Sequence, residues 1–355
     1  MSWSFCPALT GYPEHAGAWD QLNSRIYKGH PLFDSRFVGP LVSCFALPGD
    51  LLAIHRQDNG INGLVLLTRP RPGMWSTFMP SQTQVSPVLL ARELRPEELL
   101  RELPGPVLTL DFPCQDPDYS GLSGAAAHAL EESSPHALTV NISLAGVFED
   151  YWQGRSKKLR QNVRRGLQKA TEDGLTSRLE VVSDAPGLTA AFVRYGEMES
   201  RSWKARTGTA IHPDNAQGQF YRAMLLGFAS TGQAAFYELY LGGTLAATQM
   251  TISSESMLIT LKTTYDQAFA AYSPGRLLDY LLLEREYAEQ RHRFVEFYTN
   301  ATPELLSWGT GSRTISHHRW YRHLWVRRLT DHWRTFRARR RRGDAATMGT
   351  PAESP

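Results

Sequence analysis

The chain has 355 residues, 42% of them hydrophobic, and a formal net charge of +3, so it can bury a sizeable core and has room for two domains. Three scattered cysteines, Cys6, Cys44 and Cys114, have neither disulfide-framework nor metal-ligand spacing; this argues against a cross-linked secreted scaffold and for a reducing cytoplasm. No leader is visible and no apolar run approaches the roughly 18 residues of a membrane span, so a cytoplasmic protein, soluble or peripheral, is expected.

Residues 1–143 read as a mixed α/β unit. A helix is expected over 16–27. Strands are expected over 51–55 and 61–68, joined at the hairpin signal Asp58-Asn59-Gly60. Residues 74–85, with Trp75, Phe78 and Met79, read as a loop or irregular strand near a cleft. A helix over 95–103, a buried strand over 107–112, a helix over 121–132 and a strand over 137–142 follow. Ser143 is the expected cap of a short helix over 147–152. Ser156 caps a basic helix over 157–173 that Gly174 stops. Beyond it come a strand (179–182), helices over 188–205 and 215–231, and a hairpin of 234–241 and 244–253 around Gly242-Gly243. A strand over 294–298 lies past a crossover helix, which argues for parallel or splayed neighbours. From Ile315 the chain reads as a tail mixing Trp320, Tyr321, Leu324, Trp325, Leu329, Trp333 and Phe336 with arginines, and 343–355 have a disordered composition.

The sharpest signal is the stretch 257–285. A strand over 257–265 leads through a connection to Ser273-Pro274-Gly275-Arg276, which opens a helix. Proline is pre-set for a first helical turn, and glycine lets a ligand approach the backbone. The first amides of a helix lack intrahelical partners and favour an anion. An ordinary strand-to-helix turn has the same composition.

Together, Ser156-Lys157-Lys158-Leu159-Arg160-Gln161-Asn162-Val163-Arg164-Arg165, Leu261-Lys262-Thr263-Thr264-Tyr265-Asp266 and Ser273-Pro274-Gly275-Arg276-Leu277-Leu278 resemble one branch of the GNAT superfamily. This is the cellulose-biosynthesis-associated acetyltransferase-like branch, distantly similar to the Fem-type peptidoglycan aminoacyltransferases. The match spans roughly residues 145–325. The resemblance implies an α+β fold of two tandem GNAT-like halves, each a mixed, mostly antiparallel sheet flanked by helices. Residues 1–143 would be the first half, 144–330 the acyltransferase half with the donor site, and 331–355 a basic, partly disordered tail. It further implies transfer of an acyl group, usually acetyl, from acyl-CoA to an amine or hydroxyl on a sugar or cell-envelope precursor. Ser273, Pro274, Gly275, Arg276 and Leu277 would take the place of the phosphate loop of simpler relatives, although this turn is poorer in glycine than theirs.

Acyl transfer needs a held thioester, a proton acceptor and a stabilised oxyanion. Glu238, Tyr265, Asp279 and Glu296 are candidate bases, and Lys262 is a charge in an otherwise apolar strand. The expected catalytic set is Glu238, Lys262 and Tyr265, with Lys157, Arg160 and Arg164 holding the acceptor and no metal. Blander readings stand beside these: a solvent-facing Glu238, a salt-bridged Lys262, a solvated basic helix. The eleven histidines show no ligand pattern, and His317-His318 reads as a surface pair. The tail fits a solvated end, a contact with an anionic membrane, or nucleic-acid binding. A non-catalytic protein of a membrane-associated polysaccharide assembly and a tRNA-dependent Fem-like aminoacyltransferase are the alternative functions.

Overall fold

A computed structural model describes residues 2–57, 60–120, 122, 129–201, 211 and 215–347, with side chains described as far as 336. The first half begins with β1 (Ser2–Pro7), α1 (Ala8–Tyr27) and α2 (Ser35–Phe45). It continues through β2 (Leu51–Gln57), β3 (Gly60–Arg71), β4 (Met74–Thr77), β5 (Val88–Leu90), α3 (Pro96–Glu102), β6 (Thr109–Gln115) and β7 (Glu131–Ser143). Two helices, α4 (Phe148–Gln153) and α5 (Lys157–Glu172), lead to β8 (Ser177–Val182), α6 (Ala185–Arg201) and α7 (Ala216–Ala229). Then come β9 (Ala234–Leu241), β10 (Thr244–Ser253), β11 (Met257–Tyr265), α8 (Pro274–Glu289) and β12 (Phe294–Glu296). The chain ends in α9 (Pro303–Trp308), β13 (Gly311–Tyr321) and α10 (Leu324–Thr347).

The strands form one sheet in the order β1-β2-β3-β4-β6-β13-β7-β12-β11-β10-β9-β8, with β5 on β3. It contains the same unit twice. In the first, β1 to β4 pair antiparallel and β4 meets β6 in parallel. In the second, β8 to β11 pair antiparallel and β11 meets β12 in parallel. A pair of helices follows the first strand of each unit (α1 and α2; α6 and α7), and one helix precedes the fifth (α3; α8). The last strands are exchanged. β7, continuous in sequence with the first unit, pairs with β12, whereas β13 returns from the C-terminal end to pair with β6; β7 and β13 also pair with each other. The α+β fold of two tandem GNAT-like halves is therefore present, with a continuous sheet across the seam.

Three cores fill the faces. One joins both halves through α1, α2, α6 and α7, where Phe37 meets Phe220 edge-on at 5.4 Å. A second lies under α4, α5 and α8, and a third under α3. The basic helix α5 keeps its predicted cap, since the Leu159 amide donates to Ser156 Oγ at 3.2 Å, and Gly174 turns at φ +72. Its apolar stripe Leu159, Val163 and Ala170 is buried.

Several expectations are corrected. β13 replaces the start of the expected tail: Trp320 and Tyr321 are buried, and His318 is a buried strand residue rather than a surface one. The polar sequence of β13 is tolerated because its arginines meet acids, Arg319 pairing with Asp111 and Arg313 with Asp116 and Glu296. Trp75 and Phe78 fill cores instead of lining a cleft. Glu131 and Glu132 are strand, not helix, and most of 121–130 lies outside the described residues. Ser143 ends β7, and Val147 is the N-cap of α4 without a side-chain bond. The first helix starts at Ala8, eight residues early, and carries Pro13 within it. β1, α2 and α9 were unforeseen. Asp58 and Asn59 of the hairpin signal, residues 202–205 of the expected 188–205 helix, and residues 348–355 of the tail fall outside the described residues, while α10 runs on to Thr347.

Candidate active site at the splay of β11 and β12

The parallel pairing of β11 with β12 spans only Met257–Ile259 against Phe294–Glu296. From Thr260 to Tyr265, β11 is paired to β10 alone. The two parallel strands therefore part at their C-terminal ends, leaving backbone N–H and C=O groups of β11 directed into a gap. A bulge between Met250 and Thr251 re-aims β10 and β11 at the same level.

On one face of this gap stands the start of α8. Its N-cap, Ser273, sits at φ +54 and makes no side-chain bond to the helix; Pro274 has no N–H and the Arg276 amide donates to the Ser273 carbonyl at 3.0 Å, so the Gly275 amide is the first-turn donor that the helix does not use. A Cβ built on Gly275 meets nothing within 4 Å. Pro274 and Leu277 are buried and anchor the turn, while Arg276 reaches sideways to Glu304 at 2.5 Å. Gly166 of α5 lies so close that an added Cβ would stand 2.7 Å from the Tyr272 carbonyl oxygen. This contact brings the basic face of α5 beside α8. Lys157, Arg160 and Arg164 line one open groove with Trp152 and Tyr280, and Arg160 donates to Gln153. The acceptor-holding residues inferred from sequence thus share one surface. Within α8, Asp279 bonds to Gln249 of β10, and burial, helped by Glu304, lifts its carboxyl to about 7.

The residues expected to be catalytic are spread apart. Glu238 is fully buried on the face opposite α8, and both its oxygens accept from Arg194, at 3.0 and 2.8 Å, with Tyr240 as a further donor. Lys262 lies on that same opposite face, its ammonium 5.5 Å from the Tyr221 ring centre. Tyr265 is exposed at the end of β11.

What the sequence did not reveal is a buried polar cluster at the end of β12, on the side of the gap opposite α8. Arg313 donates to Asp116 at 2.8 and 2.6 Å and to Glu296 at 3.3 and 3.1 Å. Tyr298, at φ +45, donates to Asp116 at 2.9 Å and meets His30 Nε2 at 2.7 Å. Thr260 of β11 donates to the Glu296 carbonyl at 3.3 Å, tying the cluster to the splay. One guanidinium thus stands between two buried carboxylates. Ionising both leaves an uncompensated charge, and burial raises the Glu296 carboxyl to about 7 against the opposing pull of Arg313. Burial likewise drives His30 down to about 3, so it is neutral. Glu296 was one of four carboxylate or phenol candidates in the sequence; its partners, from positions 30, 116 and 313, are too distant in sequence to have singled it out.

Residues 157–304 match the family model described as acetyltransferase (GNAT) domain. No curated protein matches the sequence. Among solved structures, the chain is similar to FemX, with 10% identity, 90% of this chain and 97% of that one covered, and a TM-score of 0.56. It is also similar to L-PGS from Bacillus licheniformis, with 13% identity, 89% and 96% covered, and a TM-score of 0.50. The model match covers the basic helix α5, the splayed strands and the α8 turn, and the fold likeness extends over both halves. Residues 157–304 thus resemble the acetyltransferase (GNAT) domain, and the chain as a whole shares its fold with FemX and L-PGS.

Proposed function

We propose that the splay of β11 and β12 is the acyl-transfer site, with the donor entering from the α8 face and the acceptor from the Glu296 face. The observation that carries this is a titratable buried carboxyl on one side of the gap and, on the other, a helix start without a side-chain cap that opens at Gly275. A donor thioester lying in the gap has its phosphates at Ser273, Gly275 and Arg276 and its carbonyl against amides of β11. As an acceptor amine or hydroxyl attacks that carbonyl, ionised Glu296 takes its proton. The tetrahedral oxyanion is held by backbone N–H groups, the C–S bond breaks, and the thiolate leaves as the C–N or C–O bond is completed. Acyl-CoA, above all acetyl-CoA, suits this site, and the basic groove of Lys157, Arg160 and Arg164, which lies beside α8, suits the anionic part of the donor, while a small-molecule or saccharide acceptor of the cell envelope meets Glu296 from the opposite face. Lys262 and Tyr265 serve as flanking groups near the acceptor, and Glu238 holds α6 on the sheet through Arg194.

A second reading keeps the fold and changes the donor. The cationic surface of α5 and the arginines of α10 favour an aminoacyl-tRNA donor of the kind the Fem resemblance implies. Thermal stabilisation separates the two, because a ligand that binds only the folded state raises the melting temperature. A shift with CoA or acetyl-CoA that is lost in Arg276→Ala supports the first. Stabilisation by tRNA with none by millimolar CoA overturns it.

α10 supports peripheral membrane contact. No described helix is long and apolar enough to cross a membrane. Trp325, Leu329 and Phe336 nevertheless recur on one face of α10 at 54%, 61% and 57% exposure, while Val326 and Arg327 face the body of the protein. An apolar stripe amid arginines suits the surface of an anionic bilayer. Sedimentation with phosphatidylglycerol vesicles should be lost when the three are changed to Gln, a change that keeps every charge; retained sedimentation would show a purely electrostatic contact.

A further inference from the structure

Cys114, His136 and His317 are scattered in the sequence, yet their ligand atoms all lie within 4.8 Å of one another. They sit on three adjacent strands, β6, β7 and β13, at the seam where the halves exchange their last strands. Each is placed by an irregularity. Between Ser316 and His318 the pairing of β13 with β6 jumps from Gln115 to Phe112, which leaves Cys114 outside the ladder. Between Ile315 and Ser316 the pairing with β7 jumps from Ala137 to Pro135, which leaves out His136. Cys114 is also held at φ +49, a left-handed conformation that costs a non-glycine residue on the order of 1 kcal/mol or more. Bulges re-aim side chains, and strained residues persist where the surroundings over-determine them. Here two bulges and one strained residue converge on the same three side chains.

From this convergence we infer a transition-metal site, with Cys114, His136 and His317 as three ligands and one exchangeable position. A thiolate with two imidazoles suits Zn2+ and its neighbours and not Mg2+ or Ca2+, which take oxygen ligands. Tetrahedral zinc with bonds of 2.0–2.3 Å needs donors about 3.5 Å apart. The closure of roughly 1 Å falls to His136, which is exposed and already stacked obliquely 4.3 Å from the His317 ring. The Cys114 amide donates to His317 Nδ1 at 3.0 Å, so that nitrogen is the unprotonated one and faces residue 114; an ion bound there would displace the amide bond. Binding displaces the Cys114 thiol proton to solvent as the S–metal bond forms. Burial holds that thiol up at about 11 without a metal and holds His317 below its usual range, in the neutral form a ligand needs. The carboxylates that line the adjoining cleft are already engaged, Asp111 by Arg319 and Glu132 by Arg334. The fourth position therefore falls to water, facing the cleft beside His317 and Ser134.

The test is titration of the metal-free full-length protein with Co2+ and Zn2+. One equivalent of Co2+ should bind with a thiolate-to-cobalt charge-transfer band and tetrahedral ligand-field bands. Zn2+ should displace it and raise the melting temperature, and added azide should shift the ligand-field bands through the open position. Cys114→Ser should abolish the charge-transfer band, and His136→Ala, a surface change that leaves the fold intact, should weaken binding at least tenfold. Absence of a charge-transfer band in the wild-type protein, or undiminished stoichiometric binding in both variants, would overturn the assignment.

Discussion

Glu296→Gln tests the electrostatics of the seam and the proposed chemistry together. Glutamine keeps the shape of the side chain and removes its titration. In the native chain the carboxyl is raised from an ordinary 4.5 to about 7, chiefly by burial. The folded state therefore holds a proton that the unfolded chain releases at lower pH. The stability this group contributes is complete below pH 4.5, declines as pH rises, and is gone above about 7, because the native state binds more protons than the unfolded one in that interval. At about 1.4 kcal/mol for each tenfold change in the proton equilibrium, the loss is on the order of 3 kcal/mol. Urea unfolding of both proteins at about pH 5 and about pH 8 measures it. Asp279, also raised to about 7, contributes a slope of the same sign to both proteins, so the difference between them isolates Glu296. The wild type should lose roughly 2 to 3 kcal/mol more than the variant across that range. In the transfer assay, wild-type kcat/KM should climb through about pH 7, and the variant should be slow throughout. Parallel pH dependences of stability would refute the raised carboxyl; an unchanged rate profile would refute its role as base.

Three other substitutions probe the same region. Arg313→Met leaves Asp116 and Glu296 buried without their cation and should cost about 3–5 kcal/mol in urea unfolding; adding Glu296→Gln should return part of that loss, because one buried charge is then absent. Gly275→Asp should leave the melting temperature of the apoprotein within a degree or two, since the position opens on free space, yet abolish stabilisation by CoA through charge repulsion at the helix start; robust acyl transfer by this variant would sink the phosphate-binding role of the turn. Gly166→Val places a side chain 2.7 Å from a backbone oxygen and should destabilise by about 1–3 kcal/mol, while a fully stable variant would mean that α5 does not pack against the α8 turn as described.

Local signals carried much of the second half. The hairpin of β9 and β10 and strand β11 lie within the ranges that alternation and the Gly242-Gly243 turn define, and α8 starts at the proline-glycine step. Ser156 and Gly174 bracket α5 because caps and stops act within a turn or two of their own position. That Lys157, Arg160 and Arg164 share one face of α5 was legible for the same reason: spacings of three and four residues fix neighbours on a helix before any tertiary contact forms. α2 escaped notice because Gly39 and Pro40 break its pattern, and only packing against α7 across the two halves makes that helix worth its cost. β13 escaped because its polar residues look like surface until Asp111, Asp116 and Glu296 arrive from other strands to neutralise its arginines. The acidity of Glu296, the splay that frees the edge of β11, and the meeting of Cys114 with His136 and His317 depend on strand order and register. Those are set by contacts between residues up to hundreds of positions apart, and no local pattern encodes them.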